Sequence, residues 1–330
     1  MYDRLKIAVV IPCYKVAGAV LDVLERMPAI VDHIICVDDA CPDASGRLIQ
    51  QSCRDPRVVV VFHERNTGVG GAVKTGYLAA RAAGCDVAVK VDGDGQMDPQ
   101  LIPAFVKPIA LGQADYTKGN RFFRIEDVRR MPRIRLIGNA ALSFLSKFST
   151  GYWNLFDPTN GYTALHLSML DLVPLRKVAD RYFFETDLLF RLYCVRAVAR
   201  DVPMVAVYGD EQSSLKITRV LGPFIAGNLR NLVKRTFYGY FLRDFHVASL
   251  QVLLGPPLLL GGSVFGAWHW WRAASEGHVA TAGTVMIGAL LIIVGMQLTL
   301  AALSFDVANV PTQPLHPMLE APDKRDVPKP

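Results

Sequence analysis

No GxGxxG follows the first apolar run of this 330-residue chain; Pro12-Cys13-Tyr14-Lys15 stands there instead. That absence speaks against a dinucleotide-binding fold. Gly71 and Gly76 have the spacing of a P-loop, but Tyr77-Leu78 occupy the places of its lysine and its serine or threonine. Any nucleotide must therefore be held by another geometry. The six cysteines (13, 36, 41, 53, 85 and 194) form neither a CxxC pair nor a His–Cys metal spacing, and free thiols are expected. No secretory signal is expected at the N-terminus, where the apolar stretch Ile7 to Ile11 is short and runs into Pro12. No internal repeat is present. Formal charge is missing altogether from two stretches, Ala248 to Trp271 (24 residues) and Val279 to Phe305 (27 residues).

As helices these two stretches would each extend roughly 36–40 Å, enough to cross a bilayer core of about 30 Å. Buried core helices are the alternative, but they seldom run so long. The link from Arg272 to His278 makes the pair a tight hairpin over 247–306. Arg230, Lys234, Arg235 and Arg243 precede the first span. By the positive-inside rule the large N-terminal part is cytoplasmic, and a hairpin returns the C-terminus to the same side; Arg272 votes the other way. Residues 218–246 mix Leu, Phe and Tyr with basic side chains and read as juxtamembrane amphipathic helices. Pro256-Pro257 should kink the first span. Arg133 to Trp153 is amphipathic too, and suits either the headgroup layer or a protein core. The tail, 307–330, is rich in proline and is expected to lack order. Gly261, Gly262 and Gly266 would let spans pack closely, which leaves a homo-oligomer open. A net charge of +6 suits an anionic membrane surface or phosphorylated substrates; no nucleic-acid partner is expected.

Residues 1–217 alternate strand and helix. Leu5 to Ile11 is a continuous β-branched run, the pattern of a strand covered on both faces. Strands follow at His33 to Val37, Arg57 to Phe62 and Asp86 to Val91, with helices between them at Ala19 to Met27, Ala44 to Cys53 and Val69 to Ala83. This βαβ series predicts an α/β fold with a mostly parallel sheet and helices on both faces. Ligands of such sheets bind beyond the carboxyl ends of the strands. Asp38-Asp39, Asn66-Thr67-Gly68 and the pair Asp92/Asp94 all follow strands and so converge on one edge.

That last pair stands in Val89-Lys90-Val91-Asp92-Gly93-Asp94-Gly95-Gln96-Met97-Asp98-Pro99. Two carboxylates one residue apart on a glycine-softened strand end can aim at one point. Like charges that close repel unless a cation lies between them, so the pair asks for a hard divalent metal. Asp and Gly also make ordinary solvated turns, and taken alone the segment suits both readings. Asp98 is placed to cap a helix that Pro99 opens.

Taken together, these segments resemble the family 2 glycosyltransferases of the GT-A fold, of the type that transfers sugars to polyprenyl phosphates. The resemblance covers about Ile7 to Leu215. Val9-Val10-Ile11-Pro12-Cys13-Tyr14 is similar to the family's opening strand and turn, which implies that Pro12 and Tyr14 border the base; Lys15 replaces the usual asparagine. Val37-Asp38-Asp39-Ala40-Cys41-Pro42-Asp43 resembles VDDGSxD, implying that Asp39 contacts base or ribose, while Asp38 equally suits a turn cap. Asn66 to Ala72 resembles a segment whose amides, Asn66 and Gly71 among them, meet the diphosphate or the loop that covers it. Asp92-Gly93-Asp94-Gly95-Gln96 falls on the DxDGQ pattern. This implies that Asp92, Asp94 and Gln96 hold Mg²⁺ or Mn²⁺ on the nucleotide-sugar donor.

On the acceptor side, Gly119-Asn120-Arg121 resembles a segment whose arginine faces a phosphate. Asp157 to Tyr162 resembles an acceptor loop, and Glu185 and Asp187 stand where the family carries acidic residues near the acceptor; the helix dipole also favours acids there. Arg133, Arg135, Ser213, Ser214 and Lys216 are candidates for the acceptor phosphate. Tyr208 to Lys216 departs most from the family pattern. His166 and His246 read as structural. The resemblance implies an inverting, metal-dependent transfer to a polyprenyl phosphate at the cytoplasmic face of the membrane, with Asp94, Arg121, Glu185 and Asp187 as catalytic candidates. Two rivals are a processive polysaccharide synthase, whose Arg-Trp signature is absent here, and a membrane-anchored binding protein without catalysis.

Overall fold

Seven strands form one sheet in the order β3-β2-β1-β4-β6-β5-β7. The computed structural model describes residues 5–123, 133–157, 160–204 and 217–319. The strands are β1 (Ile7–Cys13), β2 (His33–Asp38), β3 (Val58–Phe62), β4 (Val87–Lys90), β5 (Tyr116–Asn120), β6 (Thr163–His166) and β7 (Ala199–Pro203). All run parallel except β6, which lies antiparallel between β4 and β5. The expected parallel series is therefore met, with one reversal. That reversal matters for function, because the start of β6 lies at the edge where its neighbours end.

β1 lies inside the sheet between β2 and β4, and its side chains from Ile7 to Ile11 are buried throughout, as a β-branched run covered on both faces requires. Between the strands lie α1 (Val20–Glu25), α2 (Ser45–Ser52), α3 (Val69–Ala82), α4 (Ile102–Ala110), α5 (Arg133–Thr150) and α6 (Phe184–Cys194). The core joins β1, β2, β4 and β6 to α1 and α4 through Val9, Val23, Ile34, Val89, Phe105 and Ala164. Asp98 caps the turn that leads into α4, its carboxylate accepting from Gln100 N, with Pro99 behind it.

The chain divides into two compact units, 1–232 with 311–330, and 233–310. The boundary falls inside α7 (Ile217–Phe237). In the second unit α8 (Val247–Glu276) and α9 (Ala282–Ala308) pair as a hairpin, both long and apolar enough to cross a membrane. Close approach is what their glycines allow. A Cβ on Gly255 would meet Thr299 at 2.8 Å, one on Gly262 would meet Leu291 at 2.7 Å, and one on Gly295 would meet Leu259 at 2.3 Å. Gly262 thus serves the hairpin itself, while Gly261 and Gly266 face open space. The outer faces carry Leu253, Leu260, Val264, Ile287, Ile293 and Leu300, all exposed. Asp306, near the end of α9, accepts from Arg235 at 2.6 and 2.9 Å and from Tyr240 at 2.9 Å.

Residues 311–319, part of the stretch expected to lack order, dock on the first unit. The reason is Asp115, fully buried at the start of β5. Its carboxylate accepts from Leu315 N (2.8 Å), His316 N (2.8 Å), His316 Nδ1 (2.9 Å) and Val198 N (2.8 Å). His316 also stacks on His166 at 4.4 Å. Burial works against the charge on Asp115, but the bonds from His316, Val198 and Leu315 hold its carboxyl below the ordinary value. A depressed carboxyl stabilises the dock at all pH above the unfolded value of about 3.9, and the contribution is lost as the pH falls lower. Asp115→Asn should weaken the dock by roughly 1–3 kcal/mol. Hydrogen exchange at Leu315 and His316 checks this: faster exchange is expected in the variant, and unchanged exchange would refute the assignment.

Candidate active site

The carboxyl ends of β1, β2, β4 and β5 and the start of β6 bring the polar segments to one edge. At β2, Asp38 is a turn builder, accepting from Cys41 N and Gly46 N at 2.7 Å each. Ala40 takes φ 51° where the family has glycine. Asp39 is 2% exposed, and both its oxygens are engaged. Oδ1 accepts from Thr67 N, Thr67 Oγ1 and His63 Nδ1 at 2.8 Å, and Oδ2 from Gly68 N at 2.7 Å. Burial opposes its charge, yet the bonds from Thr67, His63 and Gly68 keep the carboxyl below the usual range. Through these bonds the carboxylate pins the loop that opens α3. Asn66 donates to Asp39 O at 3.3 Å.

The N-terminus of α3 meets protein, not open space: Gly71 N donates to Asp180 O at 3.0 Å. Pro12 and the half-exposed Tyr14 flank this edge at the end of β1.

At β4, Asp92 and Asp94 follow a buried strand. Gln96 N donates to Asp94 Oδ1 at 3.0 Å, and Gly95 at φ 79° makes the turn between them. Asp92 Oδ1 lies 2.8 Å from Lys90 Nζ. Lys90 is 1% exposed and reaches three elements at once: Asp92, Glu185 Oε1 at 3.3 Å, and the Gly161 carbonyl at 3.1 Å. Burial disfavours this ammonium, but Asp92 and Glu185 outweigh it and hold the pKa above that of an ordinary lysine. A buried cation of this kind is tolerated only when paired and hydrogen-bonded.

Arg121, expected to face a phosphate, makes a two-point pair with Asp157: Nε to Oδ2 at 2.7 Å and Nη2 to Oδ1 at 3.1 Å. Two residues that the resemblance assigned separately are thus partners. Asn160 closes the following turn, its Oδ1 accepting from Tyr162 N at 2.9 Å. Glu185 and Asp187 both lie in the first turn of α6, and they differ. Glu185 faces Lys90. Asp187 is fully buried and saturated by Ala179 N (3.0 Å), Arg191 (3.3 Å) and Asn231 Nδ2 (3.0 Å), which makes it a brace for the 178–180 loop and for α7. Arg133 and Arg135 stand in the first turn of α5. Ser213, Ser214 and Lys216 lie outside the described residues.

Lys90 and Lys118 were missed by motif reasoning. For Lys90 the signal was nevertheless present, a single charge inside an apolar, doubly covered strand that can find no water and must find a partner; Lys118, in the polar strand Tyr116–Asn120, carried no such mark. Gly161 follows from the same crowding. A Cβ there would meet Lys90 Nζ at 2.5 Å and Asp92 Oδ2 at 2.8 Å. Gly161→Ala should displace both groups and lower turnover by about 10²-fold, the size of a roughly 1 Å misplacement. Turnover within twofold of the parent would show that this packing is not needed.

Residues 8–173 match the family model described as Glycosyl transferase family 2. The chain is 28% identical over 235 residues to the UDP-N-acetylglucosamine--dolichyl-phosphate N-acetylglucosaminyltransferase of Methanococcus voltae, covering 67% of this chain and 92% of that protein. It is 28% identical over 207 residues to the undecaprenyl-phosphate mannosyltransferase of Micrococcus luteus, covering 62% and 84%. Among solved structures, glucosyl-3-phosphoglycerate synthase from Mycobacterium tuberculosis, in complex with Mn²⁺, uridine diphosphate and phosphoglyceric acid, superposes with a TM-score of 0.52 at 19% identity, covering 71% of this chain and 79% of that one. Mannosyl-3-phosphoglycerate synthase from Rubrobacter xylanophilus gives 0.52 at 18%, covering 73% and 77%. These two likenesses show the GT-A fold. With half of its length matched, this chain belongs to glycosyl transferase family 2.

Proposed function

We propose that the chain transfers a sugar from a UDP- or GDP-sugar to a polyprenyl phosphate at the cytoplasmic face of a membrane, with inversion at the anomeric carbon. The observation that carries this reading is covalent. A family 2 catalytic unit continues into a hairpin of outward-apolar helices, and the chain then returns to Asp115 of the same unit. An even number of crossings fits a C-terminal segment docked where it left, and a membrane anchor suits an acceptor that never leaves the bilayer. The names of the relatives from Methanococcus voltae and Micrococcus luteus, both acting on lipid phosphates, point the same way.

In this reading an acceptor phosphate oxygen attacks the anomeric carbon from the face opposite the nucleotide. The bond to the donor diphosphate breaks, and its electron pair leaves with the nucleoside diphosphate. A phosphate monoester has its second pKa near about 6, so the acceptor is already mostly dianionic at pH 7 and no strong base is required. Glu185 then orients the site through Lys90, and Asp187 braces it. Arg121, held by Asp157, meets the acceptor phosphate already oriented, with Arg133, Arg135, Ser213, Ser214 and Lys216 as further contributors. Pro12 and Tyr14 border the base, while Asp39, Asn66 and Gly71 shape the diphosphate side.

Asp92, Asp94 and Gln96 are oxygen donors that fit Mg²⁺ or Mn²⁺. Among the described residues no three His, Cys, Asp or Glu side chains converge, so Gln96 would stand beside the two carboxylates as the third protein donor. When bound, the ion supplies charge neutralisation on the departing diphosphate.

Membranes containing the protein, a polyprenyl phosphate and a panel of labelled sugar nucleotides test this. The expected product is an organic-extractable glycosyl phosphate formed from one donor and lost on chelation of divalent metal. Asp94→Asn should lower its formation about 10²–10³-fold. Transfer only to water-soluble acceptors, or full activity without metal, would contradict the proposal.

A further inference from the structure

β4, β6 and β5 lie side by side, and Thr163 pairs in register with Lys90 on one side and Lys118 on the other. The two lysines therefore stand in one row of one sheet face. Neither reaches water: Lys90 is 1% exposed and Lys118 not at all. Each donates to a carbonyl of the same turn, Lys90 Nζ to Gly161 O at 3.1 Å and Lys118 Nζ to Asn160 O. Asn160 N also donates to the carbonyl of Asp157, the partner of Arg121, at 3.4 Å.

Two ammonium groups this close repel, and burying each carries a solvation penalty. Neutral donors would hold two carbonyls without either cost. What the fold maintains at this expense is positive charge itself, beneath an edge that must receive phosphates from two substrates. We propose that Lys90 and Lys118 are positioning residues of the transfer reaction, setting the Asn160–Gly161 turn and placing buried positive charge under the acceptor phosphate. Lys90 additionally ties Asp92 on the donor side to Glu185. The inference rests on the functional reading above and extends it to two residues outside the family motifs.

The two lysines differ in what faces them. Lys90 has Asp92 and Glu185 at hand. Lys118 is faced by Glu185 from α6, Asp157 from the turn, Asp201 from β7 and the repelling Lys90 from β4, none of which forms an ion pair with it among the described residues. Burial brings its pKa down to about 8, against the pull of Glu185 and Asp157. Its charge is therefore largely present at pH 7 and lost as the pH rises through 8. The acceptor's own second ionisation, near about 6, is finished by then.

The test uses the full chain in lipid nanodiscs, with polyprenyl phosphate and the sugar nucleotide it accepts. The Michaelis constants for both substrates are followed from pH 6.5 to 9.5. In the parent enzyme the acceptor KM should rise about tenfold above pH 8, the worth of one charge-assisted hydrogen bond, while the donor KM stays level. Lys118→Met should show the raised acceptor KM already at pH 7 and no further rise through pH 8. Lys90→Met should lower kcat and raise both constants. Unchanged binding of UDP with Mn²⁺ to Lys118→Met, read by calorimetry, shows that the variant is folded. If it does not fold, the parent profile decides alone: a level acceptor KM up to pH 9.5 overturns the inference, as does a Lys118→Met variant with parental acceptor KM. Absence of any transfer by the parent would overturn the functional reading, and this inference with it.

Discussion

A buried ammonium group holds the site together. Lys90 meets the carboxylate that ends β4, the acid that opens α6 and the carbonyl that precedes β6. Each of these partners comes from a different part of the chain, and each is needed, because breaking a buried ion pair costs roughly 3–5 kcal/mol while the pair itself adds little. The reversal of β6 makes the meeting possible, since only an antiparallel strand between β4 and β5 starts where they end. Gly161 makes it physically possible as well, by leaving space where a methyl group would strike both Lys90 and Asp92.

Much of this was legible in the sequence. The β-branched runs and the helices between them predicted the first four strands, and each is found within two residues of its expected ends. Asp98-Pro99 predicted a capped turn, and the uncharged runs predicted two long apolar helices. These features are local: they follow from period, propensity and capping, which a short window contains. The placement of 311–319 was not legible, because proline content says nothing about a buried carboxylate two hundred residues earlier that gathers the amides of Leu315 and His316.

Site residues divide in the same way. Motif spacing brought Asp92, Arg121, Asp157 and Glu185 to one edge, yet it could not say what each would touch. Asp39 pins a loop, Arg121 and Asp157 hold each other, and Asp187 braces α7, whereas Glu185, two residues earlier on the same helix, turns to Lys90. A helix rotates by about 200° over two residues, so two neighbouring acids on α6 face opposite environments. Whether a carboxylate serves chemistry or scaffold is set by that geometry.

The central claim is that Lys90 joins the donor and acceptor halves of the site into one unit. A double-mutant cycle on the rate of sugar transfer, with Lys90→Met, Glu185→Gln and both together, tests it most directly. The account predicts that the double variant is about as slow as the slower single one, a coupling of 1 kcal/mol or more for residues that act together. Losses that add to within about 0.5 kcal/mol would mean that the two residues work independently, and would contradict it.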